Sequence, residues 1–408
     1  MSDTWQYKPI GPRIEELNKS DLPAGMADEQ GEFPFYCSSS RVRRIDQAIA
    51  SGPAILMGTG GVATVHHGKG LFSYSTDTWA FKVSDVDTNV EFLYRQIEHL
   101  LPRIDYFAFG GSGLRHLDKA YIKSLELSVP SIKFQKKAAD IVNSIENSIL
   151  EGEGLVSKLR AIKVGMLCDL LERGIGPDGG VRPSAVESPG LYKESPLGRI
   201  PKEWEVKPLL ELLCSSEVSM RSGPFGSELL KRELVEEGVP LLGIDNVHVE
   251  KFVSKFNRFV SQEKYSELER YAVRPSDLMI TIMGTVGRCC LVPDDIGEAL
   301  SSKHTWTVSI DKELYSPYLA MLQINYSPWV LKHFSRDQQG GTMAAIRSET
   351  LKSTLFPVPG RYEQTLIEGR LRGVSELISL EMERIQKQCS EKHALMNGLF
   401  VGCARDFH

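Results

Sequence analysis

Between Glu363 and Phe400, apolar residues recur at Ile367, Leu371, Val374, Ile378, Ile385, Leu395 and Leu399. Gaps of three and four, and their multiples, put one apolar stripe on a long amphipathic helix. No proline interrupts the stretch, and Val358-Pro359-Gly360 stops any helix just before it. At 1.5 Å per residue the helix is roughly 55 Å long, and a rod of that length needs a partner.

The expected partner lies in the same chain, at Phe134–Leu171. It follows Ser128-Val129-Pro130 as the other follows Pro357-Val358-Pro359. Gln135 recurs as Gln364 and Lys163 as Lys392, while Leu167, Leu170 and Leu171 fall on Met396, Leu399 and Phe400. The core of a two-helix coiled coil is expected at Ala138, Ile141, Ile145, Leu159 and Ile162, and at Ile367, Leu371, Val374, Ile378 and Ile385. Gly152 and Gly154 are expected to weaken or kink the first helix.

Elsewhere the pattern is that of short strands. Residues 1–30 read as an irregular lead-in with a short helix near Ile14–Asn18. Phe33–Tyr36, the apolar run Ala54–Met57 and Ser73–Val83 read as strands, with glycine turns at Gly58–Gly61 and Gly68–Gly70. A helical turn is expected at Ile45–Ile49, and a helix at Asn89–Leu101 that ends at Pro102. Gly174–Gly198, rich in Gly, Pro and Ser, reads as a linker. Beyond it the chain repeats itself. Met283-Gly284-Thr285 matches Met57-Gly58-Thr59, Trp306 matches Trp79, and Gly340-Gly341-Thr342 matches Gly110-Gly111-Ser112. The fold expected is α+β: a tandem duplication of a β-rich module plus a long helix, with the two helices antiparallel and an approximate two-fold axis. With two copies it is not a solenoid.

Composition adds little to this. The 408 residues are 41% hydrophobic and 25% charged, with a net charge of -5, so no global basic field advertises a nucleic-acid partner. There is no secretory signal pattern and no apolar run long enough to span a bilayer. Seven scattered cysteines, with only Cys289 and Cys290 adjacent, fit reduced thiols in a cytoplasmic protein.

Catalytic motifs are missing from the sequence. Gly68-Lys69-Gly70 lacks the spacing and the Ser or Thr of a phosphate-cradling loop. No Asn-Pro-Pro-Tyr-like loop occurs, and His66, His67 and His304 have no acidic or histidine neighbours at metal-ligand spacing, so no metal is expected. Binding residues are easier to find. Arg41, Arg43 and Arg44 cluster after three serines, and His66, His67 and Lys69 follow in the first module. In the second, Arg221, Ser222, Phe225 and Ser227 sit in a polar glycine loop, beside Lys303-His304 and the run Arg336, Gln338, Gln339, Thr342. Arg and Gln suit guanine and adenine edges in the major groove, while Ser, Thr and Lys suit phosphates.

With these motifs the sequence resembles the specificity subunit of type I restriction-modification systems. The resemblance is carried by Gly198-Arg199-Ile200-Pro201-Lys202-Glu203-Trp204, Gly223-Pro224-Phe225-Gly226-Ser227, Met283-Gly284-Thr285-Val286-Gly287-Arg288, Gly340-Gly341-Thr342 and Phe356-Pro357-Val358-Pro359 before Glu363-Gln364. It implies target recognition domains at 1–130 and 201–360, long helices at 131–175 and 361–403, and a linker at 176–200. Each domain would read one half of a bipartite site in double-stranded DNA, and the coiled coil would set the spacer. The chain would have no catalytic centre and bind no cofactor. Two modification (methyltransferase) subunits would bring S-adenosylmethionine, and restriction (translocase/nuclease) subunits would bring ATP with Mg. The alternatives are a specificity subunit of another multi-subunit restriction class, or a coiled-coil scaffold that does not bind DNA.

Overall fold

The computed structural model describes residues 5–111, 115–216, 218–338 and 345–400, with 336–338 by backbone alone. The described residues form two compact units. One takes residues up to 156 together with 381–400, and the other takes 157–380. Both mix sheets with helices, so the fold is α+β with two sheet-rich domains.

In the first unit, Gln6–Pro9 pairs antiparallel with Glu126–Val129 and ties the start of the module to the strand that leads into the first long helix. A four-stranded sheet runs in the order Ile14–Glu16, Thr78–Val83, Ala54–Gly58, Val65–Gly68. The uniformly apolar Ala54–Gly58 lies inside it with all five residues buried, as its composition requires. The second sheet runs Arg43–Ile45, Phe33–Tyr36, Leu71–Tyr74, Ala50–Ser51. Ile14–Glu16 is thus an edge strand paired with Phe81–Val83, where the sequence suggested helix. Arg43–Ile45 is likewise a strand rather than the approach to a helical turn. The helix Val90–Phe107 is capped by Asn89, whose side chain accepts from Phe92 N at 2.9 Å. It runs through Pro102 instead of ending there. Pro102 faces solvent, and the buried Leu100 and Ile104 hold the helix on both sides of it.

The second unit repeats this plan except that the fourth strand of its second sheet joins the opposite edge. Glu205–Pro208 pairs with Leu355–Val358 just before the second long helix. One sheet runs Met220–Ser222, Thr305–Val308, Leu278–Thr281, Cys289–Leu291, and the other runs Leu234–Val235, Phe259–Val260, Val239–Leu242, Leu300–Ser301. Each sheet set includes one parallel pair, Phe33–Tyr36 with Leu71–Tyr74 and Val239–Leu242 with Leu300–Ser301.

The duplication reaches down to single hydrogen bonds. Gln135 Oε1 accepts from Asn89 N at 2.8 Å, and its Nε2 donates to Asp87 O and Pro130 O at 2.8 and 2.7 Å. Gln364 Oε1 accepts from Ser316 N at 2.9 Å, and its Nε2 donates to Leu314 O and Pro359 O at 3.1 and 2.9 Å. Asn89 and Ser316 are the N-caps of matching module helices. A buried glutamine therefore roots each long helix by satisfying three backbone groups that have lost water.

The long helices span Ile132–Glu172 and Arg361–Phe400. In the first unit they run antiparallel. Lys392 reaches Glu146, Gln388 Nε2 donates to Ser148 Oγ at 2.8 Å, and Arg384 Nη1 donates to the same oxygen at 3.0 Å. Of the expected seam, Ala138, Ile367, Leu371 and Val374 are buried, while Ile145, Leu159, Ile378 and Ile385 are half-buried. Ile141 and Ile162 are corrected outward, at 42% and 52% exposed. Val142 and Val156 take the inward positions. The helices also bury residues against the modules, so the inward face is not one uninterrupted seam. Met396 and Phe400 join the core of the first unit, and Leu167, Leu170 and Leu171 join that of the second. Burying a side chain of this size stabilises by roughly 1.5–3 kcal/mol.

The first helix continues through Gly152 and Gly154. A Cβ at Gly152 would lie 2.7 Å from both Arg384 Nη2 and Glu381 Oε1, so this glycine permits close approach of the second helix. The stretch read as a linker at 176–200 is folded. It contains the hairpin Tyr192–Ser195 with Gly198–Pro201, and Arg182 pairs with Glu363 at the root of the second long helix. Glu363 also accepts from Ile175 N at 2.8 Å and Trp204 Nε1 at 3.0 Å.

Candidate nucleic-acid interface

In the second unit, Gly223-Pro224-Phe225-Gly226-Ser227 folds onto Ser301-Ser302-Lys303-His304. Gly223 N donates to Ser302 O at 3.1 Å. A Cβ on Gly223 would come within 1.9 Å of Ser301 O, so the close backbone approach requires glycine. Gly226 turns the loop at φ 58°, and Phe225 beside it is 57% exposed. Ser227 is exposed too, whereas Ser222 is half-buried in the strand pair with Trp306.

Between these segments lies a groove of about 480 Å³. Its apolar lining includes Leu229, Leu230, Leu234 and Leu241, and its polar lining includes Lys231, Arg258, Ser302, Lys303 and His304. The acids beside it are occupied. Glu228 pairs with Arg270, Glu233 lies 3.0 Å from Lys264, and Asp245 holds Arg258. Lys231 and Lys303 are exposed and form no ion pair among the described residues, which leaves the rim cationic. Burial lowers the His304 pKa, and the charges of Lys303 and Arg258 lower it further, so its ring is neutral near pH 7. Its Nδ1 lies 3.1 Å from Met283 Sδ.

The sequence singled out the loop and the Lys303-His304 pair separately, and folding brings them together. It gave no hint of Lys231 or Arg258, which lie on other segments and enter through tertiary packing alone. Arg221 does not reach this groove. It is 7% exposed, pairs with Asp277, and donates to Ala272 O at 2.7 Å, Val218 O at 2.9 Å and Ser309 Oγ at 3.0 Å. Its guanidinium is an internal strut. Burial lowers its pKa and Asp277 opposes that shift. Arg336 and Gln338 lie on the backbone of the helix Pro328–Gln338, while Gln339 and Thr342 lie outside the described residues.

In the first unit the residues singled out form two groups. Arg41, Arg43 and Arg44 line a groove of about 540 Å³ with Asp28 and Glu29. Arg41 lies 3.2 Å from Glu29, while Arg43 and Arg44 donate to the backbone oxygens of Ala24, Gly31 and Glu32. His66 is buried, with Nε2 2.7 Å from Ser39 O, and burial lowers its pKa. His67 turns inward, with Nδ1 2.7 Å from Glu91 Oε2, and Lys69 Nζ lies 3.1 Å from the same oxygen. Burial alone would raise the Glu91 pKa. His67 and Lys69 outweigh it and hold the carboxyl at about 2. Glu91 also faces Arg95, which bonds Glu98 at 2.8 Å, Asn143 at 2.6 Å and Glu146. His67 and Lys69 thus belong to a charge network that ties the module to the long helices within the first unit.

Among the described residues no group of three or more His, Cys, Asp or Glu could hold a metal ion. No helix there is long and apolar enough to cross a membrane.

Residues 4–156 match the family described as type I restriction modification DNA specificity domain. Over 304 residues the chain is 24% identical to the type I restriction enzyme MjaVIII specificity subunit of Methanocaldococcus jannaschii, covering 72% of this chain and 66% of that protein. It is also 24% identical to a putative type I restriction enzyme MjaX specificity subunit of the same organism, covering 71% and 61%. Each match takes in less than two thirds of the relative's length. The crystal structure of the type I restriction-modification S subunit from M. genitalium superposes with a TM-score of 0.67 at 14% identity, covering 100% of this chain and 98% of that one. A chain from a study of complex assembly and conformational transition in the type I restriction-modification system gives 0.52 at 13% identity, covering 98% of each. These superpositions establish a shared fold.

Proposed function

We propose that the chain is a type I restriction-modification specificity subunit and that it reads a bipartite sequence in double-stranded DNA, one module to each half. The observation that carries the reading is the duplication itself. Two modules that share one four-stranded sheet of the same order, each rooted on a long helix by an equivalent buried glutamine, suit two recognition events in one chain. Two half-sites joined at fixed spacing gain from effective concentration in a way that a mismatched tether loses. On this reading the helices set the spacer, and inserting helical turns changes the spacing without changing the bases read.

The chain works in the cytoplasm as a recognition subunit without a catalytic centre. Chemistry comes from partners: modification subunits carrying S-adenosylmethionine, and restriction subunits carrying ATP with Mg. The cationic groove of the second module and the arginine-lined groove of the first are the contact surfaces this reading favours.

The test is to co-express the chain with its modification subunit in a methylation-free host and map modified bases across the genome. The expected result is one bipartite motif with a fixed gap. A host genome free of new methylation, together with no sequence-selective DNA retention by the purified complex, refutes the proposal.

A further inference from the structure

Each module carries an accessible arginine–carboxylate pair on the same connection of its second sheet. In the first module, Phe33–Tyr36 pairs parallel with Leu71–Tyr74 on one side and antiparallel with Arg43–Ile45 on the other. In the second, Val239–Leu242 stands in the same way between Leu300–Ser301 and Phe259–Val260. Arg41 lies on the connection from Phe33–Tyr36 to Arg43–Ile45, and Arg258 on the one from Val239–Leu242 to Phe259–Val260. Arg41 Nη2 lies 3.2 Å from Glu29 Oε1, and Arg258 Nη2 donates to Asp245 Oδ1. The side chains are 77% and 87% exposed in the first pair and 32% and 41% in the second, so all four reach solvent. Among the described residues, the other donors of Arg41, Arg258 Nη1 and the second oxygen of each carboxylate are unengaged.

Both pairs are built into their modules. The loop of Arg41 is pinned: buried His66 has Nε2 2.7 Å from Ser39 O, Ser39 Oγ accepts from Arg41 N at 3.2 Å, and Ser38 Oγ accepts from Thr59 N at 3.2 Å. Gly243 leaves room for the other pair, since a Cβ there would lie 2.3 Å from Arg258 Nη2 and 2.8 Å from Asp245 Oδ1. Cations without a carboxylate partner among the described residues line the same grooves. These are Arg43 and Arg44, bonded to backbone oxygens, in the first module and Lys231 and Lys303 in the second.

We propose that each pair reads one G·C base pair of its half-site in the major groove, the arginine donating to guanine O6 and N7 and the carboxylate accepting from cytosine N4. The inference rests on the DNA-reading function proposed above and adds a base identity to it. A G·C edge presents two acceptors and then a donor, and an arginine beside a carboxylate presents two donors and then an acceptor. An A·T edge presents acceptor, donor, acceptor, which sets donor against donor and oxygen against oxygen. A surface made only for phosphates would gain nothing from Glu29 and Asp245, because carboxylates repel the backbone charge that the neighbouring cations attract. An exposed ion pair holds its two side chains side by side but weakly, so a base pair can engage both with little lost.

Arg41→Lys keeps the charge and loses the planar fork, while Glu29→Ala removes the acceptor. Both should cut the preference for G·C at one and the same position of the first half-site, by roughly tenfold to a hundredfold, and leave the second half-site as it was. Arg258→Lys and Asp245→Ala should do the same in the second half-site alone. A merely solvated acid behaves differently: its loss strengthens binding to every sequence alike by relieving repulsion.

The experiment is selection from a randomised duplex library by the full chain with its modification subunit, wild type beside the four variants, each shown folded by its thermal melt. The half-site of the unaltered module is the internal control. Loss of one shared G·C preference within each pair supports the assignment. It is overturned if the two variants of a pair flatten different positions, a position that is not G·C, or none, or if the alanine variants strengthen binding uniformly. In those cases selective wild-type binding leaves the DNA-reading function standing. If wild type selects no sequence, that function fails and the assignment with it.

Discussion

Lys163 Nζ lies 2.6 and 2.7 Å from the two carboxylate oxygens of Glu250, and the backbone that aims this carboxylate has φ 59°. A left-handed conformation at a non-glycine residue costs of order 1–2 kcal/mol, so the pair holds Glu250 against its own preference. Tyr326 donates to the same carboxylate. Lys163→Met should therefore destabilise by about 3 kcal/mol, because it strands a mostly buried acid. Glu250→Gly strands Lys163 in the same way but relieves the backbone, so it should cost less by about 1–2 kcal/mol. Chemical denaturation of both variants checks the order, and the reverse order would mean that the strain is trivial.

Arg221 and Asp277 form a pair that is almost fully buried. Removing one partner should cost about 3–5 kcal/mol. Arg221→Met should lower the unfolding midpoint sharply. At a temperature where the variant is still folded, its DNA selectivity should match wild type. Altered selectivity in a fully folded variant would put the guanidinium at the interface after all.

Glu91 sets a pH dependence with a definite sign. Its carboxyl is held at about 2 in the folded state against an ordinary 4.5. A folded-state value below the unfolded one stabilises the fold at pH above the unfolded value, and that contribution fades as pH falls through the folded value. The difference in stability between wild type and Glu91→Gln should thus shrink as pH falls from 4.5 to about 2. Denaturation curves across that range measure it.

The two helix glycines should respond differently to alanine. Gly154 has open space around an added Cβ, so Gly154→Ala should gain about 1 kcal/mol from helix propensity. At Gly152 the Cβ meets Arg384, Glu381 and Ile385, so Gly152→Ala should lose most of that gain, and Gly152→Leu should destabilise outright. Thermal melts of the three variants decide it.

The long helices, the duplication and the buried strand Ala54–Gly58 were legible because each rests on a local period or on a repeat of residue types. Choices between adjacent residues were less so. Ile141 yields to Val142 because the helix face follows what packs on it, and the packing partner changes along the helix. Pro102 failed as a stop because the residues around it are anchored in the core. The folded segment 176–200 depends on Arg182 meeting Glu363, a pairing far apart in sequence. At the interface, sequence marked the hydroxyl and glycine loops. It did not reveal that Arg221 lies buried, or that Lys231 and Arg258 complete the groove, because charge type carries no record of direction.

The core of the first unit includes Met396 and Phe400, with the Phe400 ring 5.3 Å from that of Phe92. Val142, the core residue that comes before Met396 in the chain, is separated from it by the whole of the second module, so both residues are made after that module. During synthesis the amino-terminal module waits, its apolar seat open, until the ribosome has passed Phe400. A premature stop before Met396 leaves that seat empty, so a truncated product carries its own mark for proteolysis in the module that was made correctly.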